Sequence, residues 1–244
     1  MSCPYRPELS QADMPASIRR LPVDARGYPI PFFVDYVDGQ PEFRAADMRK
    51  LQACVKESRC WVCGEPLHRS RVGFKSTLAF AIGPMCGINR ISSEPPSHVD
   101  CAEWSARNCP FLARPYMRRR EDEHFNAEKF ADRQRGVALL RNPGVVLVWY
   151  TDVYAVVPTA NGPLFSVGPL TRPPTWWAEG RPATREEIHH SIETGLPALR
   201  AACELEPTPE RRAAAVAALE RQIEFAMMRL MPREVSDAPA QQSR

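Results

Sequence analysis

The sequence predicts an α+β fold, a small mixed domain in which β-hairpins and C-terminal helices surround a cysteine-rich module. Three observations carry this. Two β-like stretches turn at Asp38-Gly39 and around Asn161-Gly162, dipeptides that favour tight hairpins. The run "GVVLVWY" (144–150) reads as a buried strand and is far too short for a membrane span. Near the C-terminal end, Thr184 with Glu187 and Thr208 with Pro209 each mark a helix start.

At 244 residues the chain can bury a real core. Its 32 basic and 29 acidic side chains leave a net charge of +3, too balanced to announce a nucleic-acid binder, so a basic patch must be local. The 25 prolines, about twice the usual share, favour short elements and ordered turns. The first residues, "MSCPYRPELSQADMP", carry proline and charge and no apolar run, so they do not read as a signal peptide. A cytoplasmic location is expected, and a disulfide framework is not, because the cytosol is reducing.

In chain order, residues 1–22 read as an irregular arm and residues 23–205 as one α+β domain. The hairpin "PIPFFVDYVDGQPEFR" (29–44) opens that domain. Asp47 then N-caps a helix whose Met48, Leu51 and Val55 recur at helical spacing. The cysteine-rich module spans 58–112. A charged segment, "YMRRREDEHFNAEKFADRQRG" (116–136), reads as a solvated helix. After "VVLVWY" and the second hairpin (154–167) comes the loop "PLTRPPTWWAEGRP". The helix opened by Thr184 is expected to end at Gly195, with Pro197 starting another. A last helix (206–232) carries the stripe Val216, Leu219, Ile223, Met227 and Leu230, which docks on a core or on a partner. The tail 233–244 reads as disordered.

Five of the eight cysteines, Cys60, Cys63, Cys86, Cys101 and Cys109, crowd one 50-residue window. Zinc takes four soft or borderline ligands, usually as two close pairs from separate elements. "CWVCG" supplies the first pair, Cys60 and Cys63, with a glycine that lets the chain turn back. "PPSHVDCAEW" supplies the second. There Ser97 is a candidate N-cap, Asp100 sits three residues on, and His98 and Cys101 fall at i and i+3 in the first helical turn. The predicted site is a structural zinc held by Cys60, Cys63, His98 and Cys101, with Cys86 as the alternative fourth ligand. Cys109, eight residues past Cys101, lies about 12 Å along an ideal helix and is too far to share the ion. A thioredoxin-like redox role fits poorly, because that motif opens a helix and this one leads into Gly64, Glu65 and Pro66.

Knuckle, hairpin and a helix whose first turn supplies two ligands resemble a treble-clef zinc finger, over roughly 58–112. The motifs "DARGYPIPFF", "CWVCGEPL", "IGPMCGINRISSEPPSHVDCAEWSARNCPFL" and "WWAEGRPATREEIHHSIETGLP" together resemble a family of uncharacterised phage and prophage proteins. That resemblance implies a phage-related origin and no established activity.

Two function classes follow. The first is a non-catalytic zinc protein that binds nucleic acid or another protein. Arg114, Arg118, Arg119 and Arg120 are its candidate phosphate contacts, although Glu121, Asp122 and Glu123 blunt their field. Trp176-Trp177 would add stacking surface if exposed. The alternative is a metal-dependent nuclease of the HNH type, which also uses a treble clef, since His68, Asn89 and His98 occur in that order. Leu67 and Arg69 flank His68 where an Asp-His pair is expected, and Ala102 stands where many such enzymes carry a metal-binding histidine. Phosphate-loop, nucleophile-elbow and H-E-x-x-H patterns are missing from the sequence. His189-His190 point about 100° apart on a helix and do not make a joint site. The sequence leans away from an enzyme, and no small-molecule substrate or membrane contact is indicated.

Overall fold

The computed structural model describes residues 5–9, 11–67, 77–113 and 143–232. His68, Arg69, Arg114, Arg118, Arg119 and Arg120 lie outside the described residues, as do the charged segment 116–136 and the tail 233–244.

The hairpin β1 (Val34–Val37) and β2 (Gln40–Ala46) forms where expected, with Asp38 and Gly39 both at positive φ. The helix α2 (Met48–Glu57) follows, and the Asp47 carboxylate accepts the Arg49 N–H at 2.8 Å. In the arm, α1 (Ala16–Arg19) is a single turn.

The central sheet is antiparallel and built from distant segments. β3 (Leu78–Ile82) lies between β5 (Ser97–His98) and β6 (Val146–Thr151), and β6 pairs on its other side with β9 (Thr175–Ala178), which pairs with β10 (Arg181–Pro182). Every residue of β6 is buried. Its period of two divides them: Leu147 and Trp149 face the main core, while Val146, Val148 and Tyr150 face a second layer. Burial on both faces is why this strand reads as an unbroken apolar run.

On the main-core side lie α3 (Pro84–Asn89), α6 (Arg185–Cys203) and α7 (Pro209–Arg229), which contribute Met85, Ile88, Ile188, Ile192 and Leu219. On the other side lies α4 (Val99–Asn108), followed by the short α5 (Pro110–Ala113). Ala102 and Ala106 of α4 meet Ala79 of β3, and these small side chains let the helix close on the sheet. A third sheet pairs β4 (Ile91–Ser92), β8 (Gly162–Val167) and β7 (Tyr154–Thr159) in that order. Its hairpin closes through Ala160 and Asn161, with Gly162 already in β8.

Several sequence expectations change. The stretch 68–76 lies outside the described residues. The strand after it, β3, pairs with β5 and β6, so the cysteine-rich module is woven into the central sheet. The loop before Thr184 contains β9 and β10, joined at Glu179 and Gly180, both at positive φ. Trp176 anchors it, buried with Nε1 donating to the Leu230 carbonyl at 2.7 Å. Trp177 is half-buried beneath the Arg107 guanidinium, 5.5 Å from its ring, so the pair does not form an open stacking face. Helix α6 runs through Gly195 and Pro197 without a break. Gly195 serves close packing, since a Cβ there would sit 2.7 Å from Met85 Sδ. Burial of Ile188, Ile192 and Leu199 on one face outweighs the hydrogen bond Pro197 cannot donate.

The start of α6 has the full capping box, with Glu187 N–H donating to Thr184 Oγ1 and Thr184 N–H donating to the Glu187 carboxylate. Hydrogen bonds from Arg181, then from the Thr184 backbone, hold the Glu187 carboxyl down to about 2. A carboxyl depressed in the folded state stabilises that state above its ordinary value of 4.5 and loses the contribution as pH falls toward 2. Glu187→Gln should therefore lower the Tm near neutral pH, and its deficit should shrink through that acid window. A deficit independent of pH in thermal melts would show that the charge does not matter.

Candidate metal centre

The sequence from Ser58 to Leu67 closes a tight knuckle. Cys60 N–H donates to the Glu65 carbonyl at 2.8 Å, Gly64 N–H to the Cys60 carbonyl at 2.8 Å, and Leu67 N–H to the Ser58 carbonyl at 2.7 Å. Gly64 sits at φ +75°, and a Cβ there would lie 2.5 Å from Phe32 Cδ2. Both the backbone and the neighbouring ring therefore require glycine. The turn leaves Cys60 and Cys63 buried on the same side.

The second pair arrives differently from the sequence expectation. Ser97 and His98 are the edge strand β5, and α4 starts one residue later, with His98 in the N-cap position. Its side chain caps nothing in the helix, because it is turned toward the cysteines. Cys101 remains in the first turn and is fully buried. Pairing of His98 with Leu78 of β3 fixes the backbone of this segment against the central sheet.

The Sγ atoms of Cys60, Cys63 and Cys101 and a ring nitrogen of His98 all lie within 4.8 Å of one another. His98 Nδ1 is 3.4 Å from Cys63 Sγ and 3.9 Å from Cys101 Sγ. A tetrahedral ion with sulfur at about 2.3 Å and nitrogen at about 2.0 Å puts those two donors about 3.5 Å apart. The four donors therefore fit a metal of zinc's size with little movement. The opposite ring nitrogen, Nε2, lies 3.1 Å from the Pro66 carbonyl. A carbonyl only accepts, so Nε2 carries the proton, and Nδ1 is the atom aimed at the sulfurs. This is the arrangement by which a second partner orients a histidine ligand.

The electrostatics describe a site that attracts a cation. Burial opposes ionisation of Cys60, but hydrogen bonds from Cys101, Cys63 and His98 outweigh it and favour the thiolate. Two backbone N–H groups, of His98 at 3.4 Å and Cys63 at 3.5 Å, also point at this sulfur. Hydrogen bonding to Cys60 and Cys63, with burial, favours the thiol of Cys101. Hydrogen bonds to Cys60 and Cys63 push His98 up to about 11. Without an ion, the negative charge collected on sulfur is answered by a proton on the imidazole.

Sequence reasoning missed the arm. Ser17 Oγ lies 3.3 Å from Cys101 Sγ, across 84 residues of chain. Leu9, Met14 and Ile18 pack with the three cysteines, Leu67 and Trp104 in a satellite core. No motif near Ser17 announces this, because the contact is tertiary. Cys86 is not brought to the site. It lies on α3, packed against the main core, where burial pushes its thiol up to about 11. Cys109 follows the end of α4 and stands outside the group. Of the H-N-H trio, Asn89 uses its side-chain oxygen to accept from Ile91 N–H at 2.9 Å, and His98 joins the sulfurs. His189 pairs with Glu193 on the exposed face of α6.

No family model, curated protein or solved structure matches the chain. Among the described residues no helix is long and apolar enough to cross a membrane. The positive finding is therefore chemical: a mostly buried Cys3His group suited to a metal ion.

This geometry separates the cysteines by role. Cys101→Ala should sharply reduce metal retained after dialysis against a competing chelator, whereas Cys86→Ala and Cys109→Ala should retain it fully. Loss of metal in Cys86→Ala, with Cys101→Ala unaffected, would reverse the assignment.

Proposed function

We propose that Cys60, Cys63, His98 and Cys101 hold one structural zinc ion, and that the chain is a non-catalytic binding protein. The observation that supports this most directly is the ligand set itself. Three thiolates and one imidazole complete zinc's tetrahedron and leave no position for water or substrate. Among the described residues no carboxylate belongs to the group. When bound, the ion supplies bonds between the knuckle, β5 and α4. The satellite core of Leu9, Met14 and Ile18 then lays the arm over them. Fixing these segments shapes the surface offered to a macromolecular partner, either nucleic acid or protein. On the strength of the motif likeness to phage and prophage proteins, we take the partner to belong to an infected cell.

Around the centre, arginines are matched by acids: Arg20 with Glu65, Arg59 with Glu57, and Arg26 with Asp24. The candidate phosphate contacts of the reading are Arg114, Arg118, Arg119 and Arg120, taken from the sequence. Replacing the last three with glutamine should weaken nucleic-acid binding. It should also flatten the salt dependence of binding by about 0.9 log units for each phosphate no longer neutralised. Unchanged binding and slope would remove nucleic acid from the reading and leave a protein partner.

Removal of zinc has a local signature. Metal bonds and the satellite core stabilise the arm and knuckle, whereas β3 and β6 are buried in the main core. A chelator should accelerate amide exchange in residues 11–21 and 59–67 first, leaving β6 protected. Equal protection everywhere, with and without zinc, would deny the ion its structural role.

A further inference from the structure

β7 is an edge strand of the third sheet. Among the described residues nothing pairs with its outer edge, because the strand order ends there. The direction of its polar groups follows from its neighbour. Val167 N–H donates to the Arg90 carbonyl at 2.8 Å, and the Val167 carbonyl accepts from the Arg90 guanidinium at 2.8 Å. Both main-chain groups of Val167 therefore point away from β7. The pair Tyr154↔Val167 is then a non-hydrogen-bonded one, and by alternation so are Val156↔Phe165 and Pro158↔Pro163. The proline pair agrees, since neither residue has an N–H to give there. Tyr154 and Val156 consequently turn their N–H and C=O outward to the open edge, while Ala155 and Val157 turn theirs to β8.

Edges like this are usually guarded by lysines or inward-pointing charges. Residues 153–171 contain no charged side chain. Val153, Val156 and Val157 are 54%, 39% and 38% exposed. Pro158 is the one device within β7 that limits pairing.

We infer that β7 is the contact by which two copies of this chain associate, antiparallel about a two-fold axis. Setting Tyr154 of one copy opposite Val156 of the other forms four N–H···O=C bonds, about the number that two hydrogen-bonded antiparallel pairs supply, and none needs the N–H that Pro158 lacks. The same register sets Val157 against Val153 of the second copy, so these two exposed valines cover one another while Val156 meets Tyr154. The interface is isologous, with the same residues used twice. A second copy fits better than a charged partner, because an uncharged edge neither steers a foreign ion-bearing strand nor repels its own twin. This proposal is independent of the metal reading and uses a different surface.

Val156→Pro is the sharpest variant. It deletes an N–H that the single chain does not use, at a kind of position where Pro158 already stands. Sedimentation of the full-length, zinc-loaded protein should show a dimer fraction that rises with concentration. Val156→Pro should raise the dimer dissociation constant at least about tenfold, by removing one bond from each copy. In the unaltered chain, amide exchange at Tyr154 and Val156 should slow with concentration, while Ala155 and Val157 should not change. That second measurement decides the matter if the proline variant misfolds. A monomer at every concentration, a dimer with no concentration effect at those two amides, or an unchanged constant in a folded Val156→Pro would overturn the proposal.

Discussion

Three cysteine sulfurs and one imidazole nitrogen converge within 4.8 Å, and the surrounding chain is arranged to keep them there. Gathering that much potential negative charge in a largely buried place is unfavourable unless a cation joins it. Cys63 N–H of the knuckle and His98 N–H of β5 point at the Cys60 sulfur, and the Pro66 carbonyl sets the histidine ring. Both are partial answers to the charge. A zinc ion completes them in the proposed reading, and a proton on His98 stands in for it otherwise.

The site also explains the path of the chain. β5 is only two residues long, yet it ties the second ligand pair to the central sheet through β3. β3 in turn is zipped to β6, whose residues are buried on both faces. His98 and Cys101 are therefore held beside the buried strands β3 and β6, while the arm reaches Cys101 from outside through Ser17 and packs Ile18 with the cysteines. In the proposed reading, an ion at this site joins the knuckle to β5 and α4, and the arm packs over that junction.

What could be read in the sequence was local. Asp38-Gly39, the Asp47 cap, the Thr184–Glu187 box and both ligand pairs depend on residues a few positions apart, where spacing dictates geometry. What could not be read depended on distant partners. Pro197 resembles a helix boundary until the burial of Ile192 and Leu199 is known. Ser97 resembles an N-cap until its pairing with Ala79 makes it a strand residue and moves the cap to His98. Cys86 competed for the metal on sequence distance alone, and helix α3 carries it to the main core. Trp176 read as a loop residue because the Leu230 carbonyl that receives its N–H comes 54 positions later.

The ligand shell distinguishes closed structural coordination from an open site. X-ray absorption at the zinc edge, on protein purified without added metal, reads that shell directly. Three sulfurs at about 2.3 Å and one nitrogen at about 2.0 Å, with no water oxygen, are what closed structural coordination predicts. A shell dominated by oxygen and nitrogen, an open position filled by water, or a protein that retains no zinc would contradict it.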